Sequence, residues 1–252
     1  KLCASFLSER HELKPYHFHR IDMAEYAQAH SESKLLGMTV GYVGFAKTET
    51  LVDVLEKNPR TILLLDEFEK AEKSVQQLFL GMMDDGSLQD GKGKKANCSQ
   101  VVLIITSNVC AQELARFDWS QDGSVTQALQ MVREVLSSRI SPEFVGRVTT
   151  MVPFCSLNRE QIMRVVELQV ADFCSQAPRT HNICKLIVSR DVWLPLVEQA
   201  STEYGARLVA REVLQQIRVA LTNALASGFI DEGEAVLMKR NSNNQVRCYV
   251  AS

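Results

Sequence analysis

Two uninterrupted aliphatic runs, over residues 61–65 and 101–106, dominate the hydrophobic pattern of the chain. Strands of a parallel sheet that is covered on both faces carry continuous apolar runs rather than alternating ones. Between the runs, apolar residues recur at spacings of three and four from Val75 to Met82, which predicts an amphipathic helix. A strand, a helix and a second strand in this order predict a crossover unit of a parallel sheet.

The rest of the pattern extends this α/β interpretation. Further strands are predicted over residues 16–22, 186–188, 235–238 and 246–250, the last two as a closing hairpin. Helices are predicted over residues 24–36, 51–57, 127–140, 191–200 and 205–227. Asn158 and Gln161 form the pattern of a capping box that opens one more helix. Loops are predicted over residues 37–44 and 89–97.

The composition is that of an ordinary globular protein. Of the 252 residues, 46% are hydrophobic and 23% are charged, and 28 basic against 30 acidic residues give a formal net charge of −2. These values exclude collagen-like and disordered classes and argue against a dedicated nucleic-acid binder. The aliphatic runs are far shorter than the roughly 18 residues of a membrane span, so no membrane partner is expected.

A domain boundary is predicted at residues 153–157. It separates a large α/β domain, residues 1–153, from a small, mostly helical α+β domain, residues 154–252. Seven dispersed cysteines without a C-x-x-C pair favour a reducing compartment, the cytoplasm or an organelle matrix. The chain opens on Lys1 within an amphipathic pattern, without an initiator Met, so we expect its true start to lie upstream.

Acidic and amide side chains come directly after the two aliphatic runs. Asp66 and Glu67 follow the first run, and Asn108 follows the second. In doubly wound sheets, ligands bind at the carboxyl ends of the strands. Paired acids there can hold a magnesium-bound phosphate and activate water, which the Asn108 amide can position. The alternatives without a catalytic role are that the strand ends in solvent at two acids and that the asparagine belongs to a turn.

Other groups of metal-ligating residues are weaker. His17 and His19 share one face of the first predicted strand but have no evident third ligand, which favours packing. Cys174, His181 and Cys184 lack the spacing of a zinc finger. Neither group predicts a metal site.

Several motifs together resemble the Clp branch of AAA+ ATPases. Residues 62–70 resemble its Walker B segment, and residues 106–108 resemble its sensor-1 motif. Other matching segments occur in the family's order and near its spacing: Ile21-Asp22-Met23-Ala24-Glu25-Tyr26, Gly41-Tyr42-Val43-Gly44, Asp84-Asp85-Gly86, Pro142-Glu143-Phe144 and Tyr204-Gly205-Ala206-Arg207. The resemblance covers nearly the whole chain. The sequence is similar in particular to the second, C-terminal ATPase module of ClpB-type disaggregases. It implies an AAA+ P-loop-type parallel sheet flanked by helices, a helical α+β lid domain, and the cofactors ATP and Mg²⁺.

The resemblance implies a role for each polar residue at the strand ends. Asp66 would order Mg²⁺ through water, Glu67 would polarise the attacking water, and Asn108 would act as sensor 1. Arg147 occupies the place of the arginine finger, which reaches the nucleotide of a neighbouring subunit and thereby implies a homo-hexamer. The alternative role of Arg147 is a surface ion pair with Glu143 at i,i+4.

Two residues of the small domain are implied to bind the nucleotide. Arg207 matches the sensor-2 arginine, and the same resemblance assigns Ile162 to the cofactor site. A cation in the first turn of a helix opposes the helix dipole, so Arg207 calls for an anion. Bound ATP or the nearby Glu203 could provide it.

Two segments are implied to contact a threaded polypeptide. The family's pore loop is matched by four consecutive residues: Gly41, Tyr42, Val43 and Gly44. The glycines free the backbone, and the Tyr42 ring can contact extended chains without demanding a sequence; the alternative is a tight turn with a packed tyrosine. Residues 91–95 occupy the place of the second pore loop, with a solvated basic turn as an equal alternative.

The phosphate-binding loop G-x-x-x-x-G-K-[ST] occurs nowhere in the sequence. By family spacing it should end a few residues before Lys1. Without the amides and lysine of that loop, this chain alone is expected to bind and hydrolyse ATP poorly.

The implied function is ATP-driven unfolding or disaggregation of proteins, which are threaded through a hexameric pore. Disassembly of a secretion sheath, as by ClpV-type ATPases, is an alternative. Coupling to a peptidase is disfavoured because no Ile-Gly-Phe or Ile-Gly-Leu docking tripeptide follows Asn108. A degenerate module that binds without hydrolysis is an alternative that the presence of five site residues opposes: Asp66, Glu67, Asn108, Arg147 and Arg207.

Overall fold

The computed structural model describes residues 16–37, 49–199, 205–241, 243 and 245–251. The chain divides into two compact units, Lys1–Cys155 and Ser156–Ser252. The elements of the first unit are β1 (His17–Asp22), a 3₁₀ helix (Met23–Tyr26), α1 (Glu32–Leu36), α2 (Leu51–Lys57), β2 (Thr61–Asp66), a second 3₁₀ helix (Phe68–Lys70), α3 (Lys73–Asp85), β3 (Ser87–Gln89), β4 (Lys95–Asn97), β5 (Val102–Ile105), α4 (Ala111–Arg116), α5 (Ser124–Arg139) and α6 (Pro142–Arg147).

The sheet of the first unit has the order β1-β2-β5, and both pairs are parallel. The two aliphatic runs form β2 and β5, and α3 lies between them in the chain, as the continuous apolar pattern predicts. Ile62, Leu63 and Leu65 on the central strand are fully buried, which explains why β2 has no polar face. The predicted α/β class is confirmed.

Aromatic packing fixes the carboxyl end of β2. The buried Phe68 ring stacks on Phe144 of α6, with 4.5 Å between the ring centroids. It also meets Phe79 of α3 edge to face at 6.2 Å. Aromatic pairs of this geometry add to the stability gained from burial alone. The chain that follows β2 is therefore anchored to both helices.

The helix predicted over residues 24–36 is wrong in its middle. The chain forms instead the first 3₁₀ helix, a turn and the short helix α1. Asp22 begins the 3₁₀ helix by accepting a hydrogen bond from Ala24 N at 3.0 Å. The break follows at His30, whose φ of 63° lies in the left-handed region and interrupts a right-handed helix.

Residues 89–97, predicted as a loop, contain part of a short antiparallel hairpin in which β3 pairs with β4. In its turn, Asp90 Oδ1 accepts hydrogen bonds from the backbone N–H groups of Lys92 at 2.9 Å and Lys94 at 2.8 Å. Aspartate favours such local bonds to the backbone. The polar residues that suggested a loop thus form the tip of the hairpin.

The second unit combines long helices with a small mixed sheet. Its elements are α7 (Arg159–His181), β6 (Lys185–Val188), α8 (Arg190–Gln199), α9 (Gly205–Ala226), β7 (Ala235–Arg240) and β8 (Val246–Val250). The sheet order is β6-β7-β8, with β6 and β7 parallel and β7 and β8 antiparallel. Although α7 has 23 residues, no helix in the described part of the chain is long and apolar enough to cross a membrane.

Two helix starts in this unit test the sequence prediction. The capping box before α7 is confirmed, because Asn158 Oδ1 accepts from Gln161 N at 2.8 Å and Gln161 Oε1 accepts from Asn158 N at 2.9 Å. The helix predicted over residues 191–200 begins one residue earlier, at Arg190, so Asp191 lies within α8. The Asp191 carboxylate accepts a hydrogen bond from the Arg240 backbone at 2.8 Å and so joins α8 to β7.

Buried and exposed cysteines are expected to differ in reactivity. Burial raises the pKa of the thiols of Cys98, Cys110 and Cys248, whereas Cys155 and Cys184 are exposed. Because the thiolate is the nucleophile, a maleimide at neutral pH should label the exposed pair roughly tenfold faster or more. Peptide mass mapping measures each rate, with denatured protein as the control. Equal rates in the native protein would contradict the described core.

Candidate functional site

The carboxyl ends of β2 and β5 bring the predicted polar residues together. Leu65 on β2 is the register partner of Ile105 on β5, so Asp66 and Glu67 leave one strand beside Thr106 on the other. The backbone pairing continues past the strand end, because Thr106 N donates to the Leu65 carbonyl at 3.0 Å. The acids and the hydroxyl therefore share one edge of the sheet.

Asp66 has a side-chain donor at each carboxylate oxygen. Arg20 on β1 approaches Oδ2 with Nη2 at 2.5 Å and Nε at 3.1 Å. Thr106 donates its hydroxyl to Oδ1. The carboxylate orientation is thereby fixed at the strand end, and a carboxylate is the kind of hard oxygen ligand that Mg²⁺ prefers.

Glu67 has an unusual backbone conformation. Its φ of 57° and ψ of 50° lie in the left-handed region, which costs roughly 1–2 kcal/mol for a residue with a Cβ. Two hydrogen bonds to Thr106 hold it there: Glu67 N donates to Oγ1, and Phe68 N donates to the carbonyl, both at 3.0 Å. Strain that the surroundings impose in this way is typical of functional sites.

The Glu67 carboxylate lies between an ammonium and an amide. Lys70 Nζ is 2.5 Å from Oε2, and the hydrogen bond to Glu67 raises the pKa of Lys70. Asn108 Nδ2 is 3.5 Å from Oε1, at the long limit of a hydrogen bond. Hydrogen bonds at catalytic sites often shorten when reactants bind. The predicted proximity of Asn108 to Glu67 is thus present.

Glu69 holds the backbone of Asn108. Its Oε1 accepts a hydrogen bond from Asn108 N at 3.0 Å. Its Oε2 is buried and has no hydrogen-bond partner among the residues that the structure describes. Glu69 therefore sets the position of the amide that faces Glu67.

Sequence reasoning missed three charged residues of this site: Arg20, Glu69 and Lys70. Strand alternation could have indicated Arg20. Arg20 and Asp22 are two residues apart on β1 and share a face of the sheet, and Asp22 is the register partner of Asp66. Nothing in the sequence spacing indicates the contact that Glu69 makes. That contact depends on how the second 3₁₀ helix follows β2.

Arg147 lies at the exposed end of α6, with 58% of its side chain accessible. Its Nε is 2.7 Å from Asp84 Oδ1 at the end of α3. Within the described residues, this ion pair replaces the pair with Glu143 that the alternative interpretation proposed. An exposed ion pair contributes little to stability, so Asp84 competes weakly with any other anion. Phe144, on the same helix, connects α6 to the end of β2.

Arg207 and Ile162 lie in the second unit. Arg207 is exposed in the first turn of α9, where the helix dipole favours an anion. Ile162 is 3% exposed and belongs to the core of the second unit near the start of α7. Their contact with a nucleotide stays a prediction.

The predicted pore loop lies outside the described residues. This applies to all four of its members: Gly41, Tyr42, Val43 and Gly44. The segment predicted as the second pore loop is described, and it is the tip of the β3–β4 hairpin together with the first residue of β4. The assignment of either segment to polypeptide contact stays a prediction.

Histidine and cysteine clusters add no further site. His17 and His19 on β1 have ring centroids 6.2 Å apart. No group of three or more His, Cys, Asp or Glu side chains that could hold a metal ion occurs in the described ranges of the chain. Mg²⁺ does not require such a group, since one or two carboxylates with water and substrate phosphates suffice.

Comparison with known families decides the assignment. Residues 2–151 match the family described as "AAA domain (Cdc48 subfamily)". The chain belongs to the AAA family. Residues 157–238 match the family described as the "C-terminal, D2-small domain, of ClpB protein". The predicted resemblance to the C-terminal module of ClpB-type proteins is confirmed.

Relatives of this AAA chain carry chaperone names. It is 37% identical over 214 residues to the chaperone protein ClpB of Chlamydia pneumoniae, covering 84% of this chain and 24% of the relative. It is 33% identical over 217 residues to the heat shock protein hsp98 of Neurospora crassa, covering 85% and 23%. The ClpB of Rhodopirellula baltica is 31% identical over 229 residues, covering 90% and 26%. The chain thus spans about a quarter of the length of these relatives.

Family membership implies nucleotide binding, and the site residues fit ATP with Mg²⁺. The donor set at the sheet edge consists of carboxylate, hydroxyl and amide groups, with no soft sulfur ligand. Asp66 is oriented by two donors, as a carboxylate that serves a metal ion usually is. The adjoining Glu67 places a second carboxylate at the same edge of the sheet.

Proposed function

We propose that this AAA chain is the ATPase module of a machine that unfolds or disaggregates other proteins. The observation that carries the proposal is Glu67, a carboxylate held in a strained conformation at the end of β2 and faced by the Asn108 amide. The relatives named chaperone protein ClpB and heat shock protein hsp98 support the choice of substrate, unfolded or aggregated polypeptides.

Glu67 acts as the general base in the proposed reaction. ATP bound with Mg²⁺ supplies the phosphoanhydride bond that is hydrolysed. The Glu67 carboxylate accepts a proton from the attacking water, and the Asn108 amide orients that water. Lys70 and Asn108 contact different oxygens of Glu67, so the ion pair leaves Oε1 facing the amide.

Three further residues are assigned to the cofactor. Asp66 would hold Mg²⁺ through water, and Arg20 and Thr106 already orient its carboxylate at the strand end. Arg207 provides a positive charge for the phosphates, and the first turn of α9 adds the positive end of a helix dipole. The resemblance also assigns Ile162 to the nucleotide site, and its burial in the core of the second unit leaves it the role of an apolar support there.

Arg147 serves as an arginine finger, which requires a neighbouring subunit, and the resemblance to the Clp branch makes a homo-hexamer the proposed assembly. A finger stabilises the charge of phosphoryl transfer in the active site of a neighbouring subunit. The exposure of Arg147 at the end of α6 and its surface ion pair with Asp84 are consistent with this task. Removal of the Arg147 side chain should therefore lower ATP hydrolysis in the active site of the neighbouring subunit and not in that of its own subunit.

The proposed partners are polypeptides rather than nucleic acid or membranes. The net charge of −2 offers no general attraction for polyanions. The six cysteines within the described residues are free, which fits a reducing compartment such as the cytoplasm. Tyr42 and its neighbours Gly41, Val43 and Gly44 grip the threaded chain.

Substitution of Tyr42 tests the threading. In the full-length protein, Tyr42→Ala should reduce ATP-dependent unfolding of an aggregated fluorescent reporter by at least about tenfold, because the flat ring that contacts extended chains is lost. The amount of ATP hydrolysed per reporter unfolded should rise accordingly. Reporter fluorescence and phosphate release are recorded together.

Tyr42→Phe is the matched control, since it keeps the ring and removes only the hydroxyl. It should retain most of the unfolding activity. Unfolding by Tyr42→Ala at the unmodified rate would contradict the pore-loop assignment. Nucleotide binding without hydrolysis in the unmodified protein would favour a module that acts by binding.

A further inference from the structure

The two flanks of residues 38–48 meet in the structure. Gly37 follows the last residue of α1, and Thr50 precedes the first residue of α2. The φ of Gly37 is +75°, and a Cβ built on it would lie 3.1 Å from Thr50 Cγ2. The backbone conformation therefore calls for a glycine, and any larger residue would also crowd the Thr50 methyl group. Gly37 and Thr50 therefore lie next to each other.

The tip of the β3–β4 hairpin touches the flank on the α1 side. The backbone N–H of Gly91 donates to the carbonyl of Leu36, the last residue of α1, at 3.2 Å. Leu36 directly precedes Gly37. The hairpin thus contacts the chain immediately before residues 38–48.

The same tip holds the flank on the α2 side through charge. Lys94 Nζ is 2.7 Å from Asp53 Oδ1 and 2.5 Å from Glu56 Oε2, both on α2. Asp53 also closes the capping box with Thr50, because its Oδ2 accepts from Thr50 N at 3.1 Å and from Thr50 Oγ1 at 2.9 Å. Lys94 therefore contacts Asp53, one of the two residues that form the capping box at the start of α2.

The hairpin that makes these contacts is itself anchored. Asp90 accepts the two backbone hydrogen bonds that shape the turn. Leu88 and Ala96, on the paired strands, are buried in the same apolar core as Leu51 and Leu55 of α2. A rigid support below a charged tip can fix the position of whatever the tip holds.

We propose that the tip of the β3–β4 hairpin braces both flanks of residues 38–48, and that Lys94 is a positioning residue for polypeptide contact. This inference rests on the proposed function, since it makes the hold on the threaded chain depend on a support outside the gripping segment. The brace links the two segments that the sequence analysis singled out separately. It needs no substrate contact by the turn itself.

Hydrogen exchange in the full-length protein tests the brace without reference to activity. Lys94→Met removes the charge and keeps the side-chain length, so the amides of residues 50–57 should exchange about twofold to fivefold faster. Lys94→Arg keeps the charge and should retain the unmodified rates. Lys92→Met removes a positive charge from the same turn and should leave residues 50–57 unchanged. Equal exchange in Lys94→Met and Lys92→Met would overturn the brace.

Coupling to substrate provides the second readout. Lys94→Met should raise the ATP hydrolysed per reporter unfolded by at least about twofold, and Lys94→Arg should restore the unmodified ratio. Faster exchange with an unmodified ratio would overturn the positioning role of Lys94. The Tyr42→Ala result is independent of both: if Tyr42→Ala stops unfolding and Lys94→Met behaves as Lys92→Met, the proposed function stands and this inference fails.

Discussion

Exchange of Glu67 for Gln is expected to lower ATP turnover by the full-length protein by about 10²–10⁴-fold while nucleotide binding persists. The amide is nearly isosteric with the carboxylate but cannot take a proton from the attacking water. It still offers an oxygen to the Asn108 side chain, so the site keeps its shape. Phosphate release at saturating ATP measures turnover, and a fluorescent ADP analogue measures affinity.

Glu134→Gln is the matched control for this substitution. Glu134 is an exposed acid on α5 that accepts a hydrogen bond from Gln130 at 3.2 Å and belongs to neither strand end. Surface exchanges of this kind have small effects, so turnover should stay within about twofold of the unmodified protein. Turnover by Glu67→Gln at the level of Glu134→Gln would exclude Glu67 as the base.

Arg147→Ala is expected to lower turnover in uniform rings by at least about 10³-fold, and mixing with Glu67→Gln subunits should bring part of it back. In a mixed ring, a subunit with intact Glu67 can stand beside one with intact Arg147. The pair together completes one active site, although neither variant does so alone. Phosphate release measured over a series of mixing ratios should peak near equal proportions.

Asp84→Asn separates the finger from the ion pair. It removes the surface partner of Arg147 and leaves the guanidinium in place. If the ion pair mattered, this variant would reproduce the loss seen with Arg147→Ala. We expect it to keep most of the turnover, because exposed pairs contribute little. A failure of the mixed rings to recover at any ratio would contradict action across a subunit boundary.

Much of the fold could be predicted because its strongest signals are local. The runs that form β2 and β5 are continuous, and the capping box before α7 is a pattern of two residues. The break at His30 could not be predicted, because a left-handed residue leaves no trace in apolar periodicity. The β3–β4 hairpin was hidden for a related reason, since three-residue strands are too short to show alternation.

The contacts of the candidate site also differ in whether the sequence could predict them. The proximity of Glu67 and Asn108 follows from parallel pairing, which places the carboxyl ends of neighbouring strands at one edge. The supporting contacts do not follow from it. Arg20 reaches Asp66 across strands, and Glu69 reaches back to the Asn108 backbone from a 3₁₀ helix. Such contacts depend on side-chain reach and loop geometry, which spacing in the sequence does not encode.

Glutamate is an unfavourable residue for the left-handed backbone conformation at position 67. Selection for stability alone would place glycine or asparagine at this position, because both tolerate a φ of 57° better than glutamate does. Replacement of Glu67 by glycine would relieve roughly 1–2 kcal/mol of backbone strain, at the loss of an exposed ion pair with Lys70 that contributes little to stability. If the module no longer used the site, one or two base changes in the codon for residue 67 could remove this strain. The presence of a strained glutamate is a reason, internal to this one sequence, to regard the site as in use.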